Sequence, residues 1–336
     1  MIIQLESGIS DPDRQRIIHE VEANGYKIKA ISTQAGNYFV CIGQQEIDIR
    51  SIGHLRGVRD IHRVSDDYKL TSRKWKVGRT AIDLGDDVCI DDKSFTVMAG
   101  PCSIESEEHI EKTVQLLLKC GVRIMRGGVY KPRSSPYAFR GLGMEGLKVF
   151  SAICHVHGIK IITEVMQVSQ VMEMQPYVDI FQVGARNSQN FNLLDALGEV
   201  DNPILIKRGI SGSIDELLQS AEYVFSAGNE KILLCERGIR SYETAYRNTL
   251  DLNAVPILKE KTHLPVIVDP SHGIGIRRFV PSMALAALAA GADGLLIEIH
   301  DRPELAISDG QQSLNFVEFE NLIQKLTALK QSIAFT

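Results

Sequence analysis

The heptapeptide Val266-Ile267-Val268-Asp269-Pro270-Ser271-His272 decides how this chain reads. Three β-branched residues in a row form a short strand buried on both faces, and the polar turn directly behind them holds an acid and an imidazole. The same rhythm recurs on either side of it. Short β-branched or apolar runs fall at 95–99, 122–125, 160–163, 180–183, 204–206, 232–234, 266–268 and 294–297. Amphipathic stretches separate them, such as 213–227, opened by a Ser213/Glu216 capping box. Another is 313–333, with Phe316, Phe319, Ile323 and Leu326 on one face. Eight strand–helix units in succession predict a closed parallel (β/α)8 barrel, the TIM-barrel form of the α/β class. An open doubly wound sheet competes, but no GxGxxG follows the first run.

Upstream of the barrel, residues 80–84 and 88–90, joined around Gly85-Asp86-Asp87, predict a hairpin plugging its N-terminal end. Residues 1–72 follow another pattern. A strand at 1–5 leads into Ser10-Asp11-Pro12-Asp13, a helix start with an N-cap and an early proline. Ile17, Ile18 and Val21 then share a helical face. Strands at 26–31 and 38–42, a short helix at 52–55 and a strand at 58–64 complete a ferredoxin-like βαββαβ unit. The expected domains are 1–72 and 73–336, separated by the basic, polar stretch 69–79.

A chain of 336 residues suits a barrel of about 250 plus an appendage. Its 44% apolar and 24% charged residues are the profile of a soluble globular protein. No apolar stretch approaches the roughly 20 residues of a membrane span, and no signal sequence opens the chain, so a cytoplasmic protein without a membrane role is expected. The formal charge of −5 argues against nucleic acid as a partner. Cys41, Cys89, Cys102, Cys120, Cys154 and Cys235 show no repeated spacing, and most read as small buried hydrophobes.

Barrel enzymes carry their reactive groups at the carboxyl ends of the strands. Here those ends read Gly100-Pro101-Cys102-Ser103, Arg126-Gly127-Gly128, Glu164, Gly184-Ala185-Arg186, Lys207-Arg208-Gly209, Glu236-Arg237-Gly238, Asp269-Pro270-Ser271-His272 and Glu298-Ile299-His300. Solvated loop charge accounts for any one of them but not for all. Arg126, Lys131, Arg133, Arg186, Lys207 and Arg237 put six cations around one mouth in an acidic chain, which suits more than one phosphate or carboxylate. Cys102, His272, Glu298 and Asp309 form a mixed sulfur, nitrogen and oxygen set. It fits one borderline divalent ion such as Mn, Fe, Co or Zn better than Mg or Ca.

These motifs, together with Arg126-Gly127-Gly128-Val129-Tyr130-Lys131-Pro132-Arg133-Ser134-Ser135-Pro136, resemble the 3-deoxy-D-arabino-heptulosonate 7-phosphate (DAHP) synthases. The specific likeness is to the type I beta subgroup with a ferredoxin-like N-terminal extension. The resemblance implies a metal-dependent condensation of phosphoenolpyruvate with erythrose 4-phosphate, the first step of the shikimate pathway. It implies that Arg126, Lys131, Ala185, Arg186, Lys207 and Arg237 hold phosphoenolpyruvate, and that Arg133 and Ser134 hold the aldose phosphate. Many relatives have threonine in place of Ser134. Cys102, His272, Glu298 and Asp309 match the metal ligands, and Glu164 and Asp269 the acids beside the reacting carbons. The metal would polarise the aldehyde, with Glu164 or Lys131 handling the protons of the attacking water.

The nearest rival is 3-deoxy-D-manno-octulosonate 8-phosphate synthase, which uses arabinose 5-phosphate. That family carries an asparagine in its Lys-Ala-Asn-Arg-Ser motif, where this chain has Lys131-Pro132-Arg133. The resemblance further implies a homotetramer and feedback control by tyrosine or phenylalanine, exerted by a domain that obstructs the barrel mouth.

Overall fold

The computed structural model describes residues 1–43, 47–131, 137 and 139–333. β1 (Ile2–Leu5), α1 (Asp11–Ala23), β2 (Lys27–Ser32), β3 (Asn37–Ile42), α2 (Arg50–Gly53) and β4 (Val58–His62) build a four-stranded sheet in the order β2-β3-β1-β4, antiparallel throughout. Ser10 caps α1 by accepting from the Asp13 amide. Alternation along the strands sorts the apolar side chains between two faces. Ile3, Phe39 and Cys41 pack with Ile17, Val21 and Ile52 on the helical side. Ile2, Tyr38 and Val40 turn the other way and merge with the barrel's core.

A short hairpin, β5 (Ile82–Asp83) and β6 (Cys89–Ile90), precedes the barrel. The barrel strands are β7 (Thr96–Gly100), β8 (Ile124–Arg126), β9 (Lys160–Val165), β10 (Ile180–Val183), β11 (Ile204–Lys207), β12 (Ile232–Glu236), β13 (Val266–Val268) and β14 (Gly294–Glu298). They pair in sequence order, all parallel, and β14 closes on β7 through Gly294–Thr96 to Glu298–Gly100. The predicted closed barrel is the observed fold. Outside it lie α3 (Glu107–Lys119), α4 (Gly143–Val156), α5 (Val168–Met174), α6 (Phe191–Gly198), α7 (Ile214–Ala227), α8 (Ala254–Lys261), α9 (Pro270–Ile274), α10 (Val280–Ala289) and α11 (Phe316–Ser332). α7 begins with the Ser213/Glu216 capping box, whereas α11 is capped by Asn315 and Glu318, two residues later than its expected start at Ser313.

Inside the barrel, Met98, Ile124, Ile162, Ile180, Leu205, Leu233, Ile267 and Leu296 form an apolar layer closed from below by Ile82, Val88 and Ile90. Water is thereby excluded from the amino-terminal end, and polar groups are confined to the carboxyl end.

The segment after β4 is wedged between the sheet and the barrel, although its basic, polar composition suggested a spacer. Leu70, Thr71 and Ser72 have no exposed surface and Trp75 only 7%. Trp75 lies edge-on to Tyr38 at 5.3 Å and to His263 at 5.8 Å, and its Nε1 donates to Leu70 O at 2.7 Å. Glu222 on α7 accepts from the amides of Leu70 and Thr71 at 2.9 and 3.0 Å. Thr33 Oγ1 donates to Glu230 at 2.9 Å. Glu230 and His263 precede β12 and β13, so the N-terminal unit docks at the strands' amino ends, opposite the mouth. Among the described residues it does not cover the mouth of its own chain. Of the cysteines, Cys41, Cys102, Cys154 and Cys235 are buried as expected, while Cys89 is exposed.

Candidate active site at the barrel mouth

The seventh strand end shows how local sequence places a reactive group. β13 runs into Asp269, whose Oδ1 accepts from the His272 amide at 2.9 Å and so caps α9. Its Oδ2 faces Lys207 Nζ at 2.6 Å and His272 Nδ1 at 2.8 Å. One carboxylate thus starts a helix, pairs with a lysine from β11 and fixes an imidazole, leaving His272 Nε2 pointing to Glu298 Oε1 at 3.6 Å. Carboxylate–histidine pairs of this kind orient metal-bound imidazoles.

Three further donors converge there. Cys102 Sγ, a Glu298 oxygen and an Asp309 oxygen all lie within 4.8 Å of one another. Cys102 Sγ is 3.1 Å from Asp309 Oδ2, and Lys131 Nζ donates to Cys102 Sγ at 3.0 Å and to its carbonyl at 3.1 Å. Asp309 sits in the left-handed region at φ 52°, which aspartate tolerates better than most residues. The set fits a divalent metal: a thiol and two carboxylates converge from separate loops, the His272 imidazole lies 3.6 Å from one of those carboxylates, and a lysine is directed at the sulfur.

The electrostatics follow from burial. Burial and Glu298 push the Cys102 thiol up to about 11, against Lys131 and Arg126, so without a metal the sulfur stays protonated at neutral pH. Burial raises Glu298, but His272 and Arg126 override it and hold the carboxyl at about 2. Asp269 is driven up by burial yet lies well below the ordinary range because His272 and Lys207 adjoin it. Burial keeps His272 below its ordinary value, against Asp269 and Glu298.

The cations divide in two. Arg126 faces inward, its Nη1 2.9 Å from Glu298 Oε1 and 2.7 Å from Pro101 O, and it is not among the residues lining the mouth cavity. Lys131, Arg186, Lys207 and Arg237 do line it, with Glu164, Ala185, His272 and Asp309. Glu164 accepts from Gln182 at 3.2 Å. A Cβ at Gly184 would lie 2.1 Å from Glu164 Oε1, so any larger residue there would displace the Glu164 carboxylate. Arg133 and Ser134 lie outside the described residues.

Sequence reasoning overlooked Arg240, Arg247 and Asn248, which line the same cavity from the loop after β12. It also missed Gln312, whose amide donates to Glu298 Oε2 at 2.5 Å and accepts from Arg247 at 2.6 Å. No periodicity marks these loop positions.

Fold and site together define a TIM-barrel enzyme with a cationic mouth beside a cluster of one thiol and two carboxylates. A family model described as the DAHP synthetase I family matches residues 79–333. The chain is 42% identical over 334 residues to the phospho-2-dehydro-3-deoxyheptonate aldolase of Thermotoga maritima, covering 99% of this chain and 98% of that one. The crystal structure of that aldolase superposes with a TM-score of 0.79, covering 98% and 97% of the two chains. A 2-dehydro-3-deoxyphosphooctonate aldolase of Bradyrhizobium diazoefficiens is 33% identical over 256 residues, covering 70% of this chain and 90% of the other. The chain belongs to the DAHP synthetase I family.

Proposed function

We propose that this chain acts as a DAHP synthase, joining phosphoenolpyruvate to erythrose 4-phosphate with release of phosphate. The observation that carries the reading is the pairing of the cationic mouth with the Cys102–His272–Glu298–Asp309 cluster, on a chain whose likeness to the heptonate aldolase spans both ends. The octonate aldolases match only about seven-tenths of the chain.

Arg186, Lys207 and Arg237, with Lys131 and the Ala185 backbone, hold the phosphate and carboxylate of phosphoenolpyruvate, and Arg126 braces Glu298 from within. Arg133 and Ser134 hold the aldose phosphate. Cys102, His272, Glu298 and Asp309 hold one divalent ion, Mn, Fe, Co or Zn, which when bound acts as a Lewis acid toward the aldehyde. The nucleophilic C3 of the enol phosphate attacks the aldehyde carbon. Water adds to the cationic C2, and the phosphohemiketal loses phosphate by C–O cleavage. Two of the three Lys131 donors go to Cys102, which leaves one for phosphoenolpyruvate. Glu164, oriented by Gln182 at the cavity wall, is therefore the better base for that water. Asp269 and Lys207 fix His272.

Steady-state rates with added Mn decide the substrate: phosphate release with erythrose 4-phosphate is expected, and a preference for arabinose 5-phosphate would assign the octulosonate reaction instead.

The sheet order of residues 1–62 supports the ferredoxin-like reading; the type I beta subgroup, a cytoplasmic homotetramer and feedback by tyrosine or phenylalanine are proposed on the resemblance that goes with it. Among the described residues no helix is long and apolar enough to cross a membrane. Because this unit docks at the amino ends of its own strands, an effector bound there reaches a mouth through the barrel or through another copy. Removal of residues 1–73 should abolish any inhibition by either amino acid; inhibition that survives removal would place the effector elsewhere.

A further inference from the structure

A second group of ligating side chains lies beside the proposed metal centre and is not used by the chemistry above. Glu105 follows β7, His109 stands in the first turn of α3, and His300 follows β14. Their ligand atoms all lie within 4.8 Å of one another. The two rings face each other at 4.2 Å between centroids. His109 is 7% exposed and His300 5%. Among the described residues, neither buried ring nitrogen of His109 has a hydrogen-bond partner, a costly arrangement for an imidazole unless a ligand completes it.

The neighbouring groups leave room for an ion. Glu105 commits Oε1 to the Ile307 amide at 2.9 Å, while Oε2 is 3.4 Å from His300 Nε2. Separations of that size are normal between donors sharing an ion at about 2.0–2.2 Å from each. His300 Nδ1 lies 3.1 Å from Asp301 Oδ1, and the Arg302 amide lies 3.0 Å from both of these atoms. Metal at Nε2 puts the proton on Nδ1, which then donates to Asp301 while the Arg302 amide donates to Asp301 alone. A carboxylate behind the ring is the arrangement that orients metal-bound histidines. Asp301 is also 3.8 Å from His109 Nε2 and from Lys112 Nζ.

We propose that Glu105, His109 and His300 form a second binding site for a divalent transition-metal ion, with Asp301 supporting His300. Two imidazoles and a carboxylate favour zinc, cobalt or nickel over magnesium or calcium. The site's place suggests its use. Glu105 lies three residues beyond Cys102, and the segment it holds through Ile307 carries Asp309. Ser103 and Ser308 also meet there at 2.5 Å. An ion at this position ties the loop bearing one ligand of the first centre to the loop bearing another.

Equilibrium dialysis of the full chain against zinc, with metal counted per chain, tests the proposal. The parent is expected to hold two equivalents. His109→Phe, which keeps an aromatic ring but removes both nitrogens, and Glu105→Gln should each hold one. Cys102→Ser should also hold one, and Cys102→Ser with His109→Phe none. With cobalt, the thiolate charge-transfer band should survive His109→Phe and vanish in Cys102→Ser, so the two sites are read separately. Should His109→Phe fail to fold by circular dichroism, Glu105→Gln carries the test. A parent that binds a single equivalent, lost with Cys102, overturns the second site, as does a second equivalent that persists in both Glu105→Gln and His109→Phe.

Discussion

The two ends of the barrel are built from opposite materials. At the mouth, Lys207 pairs with Asp269 and Arg126 with Glu298, all four side chains at most 4% exposed. At the far end, Tyr38, Trp75, Phe225 and His263 pack edge to face under the N-terminal sheet. Burying paired charge returns little net stability, because desolvation offsets the attraction, whereas burying aromatic rings is favourable throughout. The mouth is therefore arranged for chemistry and the docking face for cohesion. Changes at the two ends should separate activity from stability.

The largest effect is expected from Cys102→Ser. A hydroxyl is a far poorer ligand than a thiolate, and because even supporting changes around a metal cost about 10–100-fold, turnover should fall by more than about 100-fold. The midpoint of thermal unfolding should stay near that of the parent. Full turnover in a metal-free assay would remove the assigned centre.

Trp75→Ala sharpens the contrast from the other side. Removing a large buried aromatic costs about 3–5 kcal/mol, so the denaturant midpoint should drop while kcat, measured well below the unfolding transition, is unchanged. Loss of kcat at unchanged stability would show that the docking face and the mouth are coupled.

Arg186→Ala should raise the Michaelis constant for phosphoenolpyruvate more than that for erythrose 4-phosphate. A charge-assisted hydrogen bond worth about 1.5–3 kcal/mol predicts roughly 10- to 150-fold. Arg133→Ala should do the reverse. Equal effects on both substrates in both variants would mean that the cations are wrongly divided.

How far these regions could be read in the sequence follows from the range of the forces involved. The barrel was legible because each strand end repeats a local pattern, and Asp269-Pro270-Ser271-His272 contains its own helix cap. The meeting of Cys102, Glu298 and Asp309 was legible as chemistry, since a thiol and carboxylates gathered around one barrel mouth share the capacity to ligate an ion. The pairing of Arg126 with Glu298 was not, because it joins residues 172 apart. Nor was the role of Gln312, which only the closed barrel brings to Glu298. The stretch 69–79 misled as a spacer because its lysines and arginines mask Leu70 and Trp75, whose burial depends on a sheet and a helix distant in sequence.

His263 provides the smallest and most specific test. Its Nε2 lies 2.8 Å from Leu70 O and its Nδ1 2.7 Å from Thr80 Oγ1, so the ring is neutral, donating to the carbonyl and accepting from the hydroxyl. Burial, with Lys76 nearby, depresses its pKa from 6.5 to about 3. The unfolded chain therefore binds a proton below 6.5 that the folded chain refuses until about 3. This histidine's contribution is complete above pH 6.5 and is lost as the pH falls toward 3. One and a half units below 6.5, at about 1.4 kcal/mol per unit, the loss is about 2 kcal/mol. His263→Gln keeps a donor for Leu70 but cannot titrate. Chemical denaturation at pH 7 and pH 5 should show the parent losing about 2 kcal/mol more than the variant between the two conditions. An equally steep loss in both proteins would place the acid sensitivity outside the docking face and leave the aromatic end with no titratable weakness.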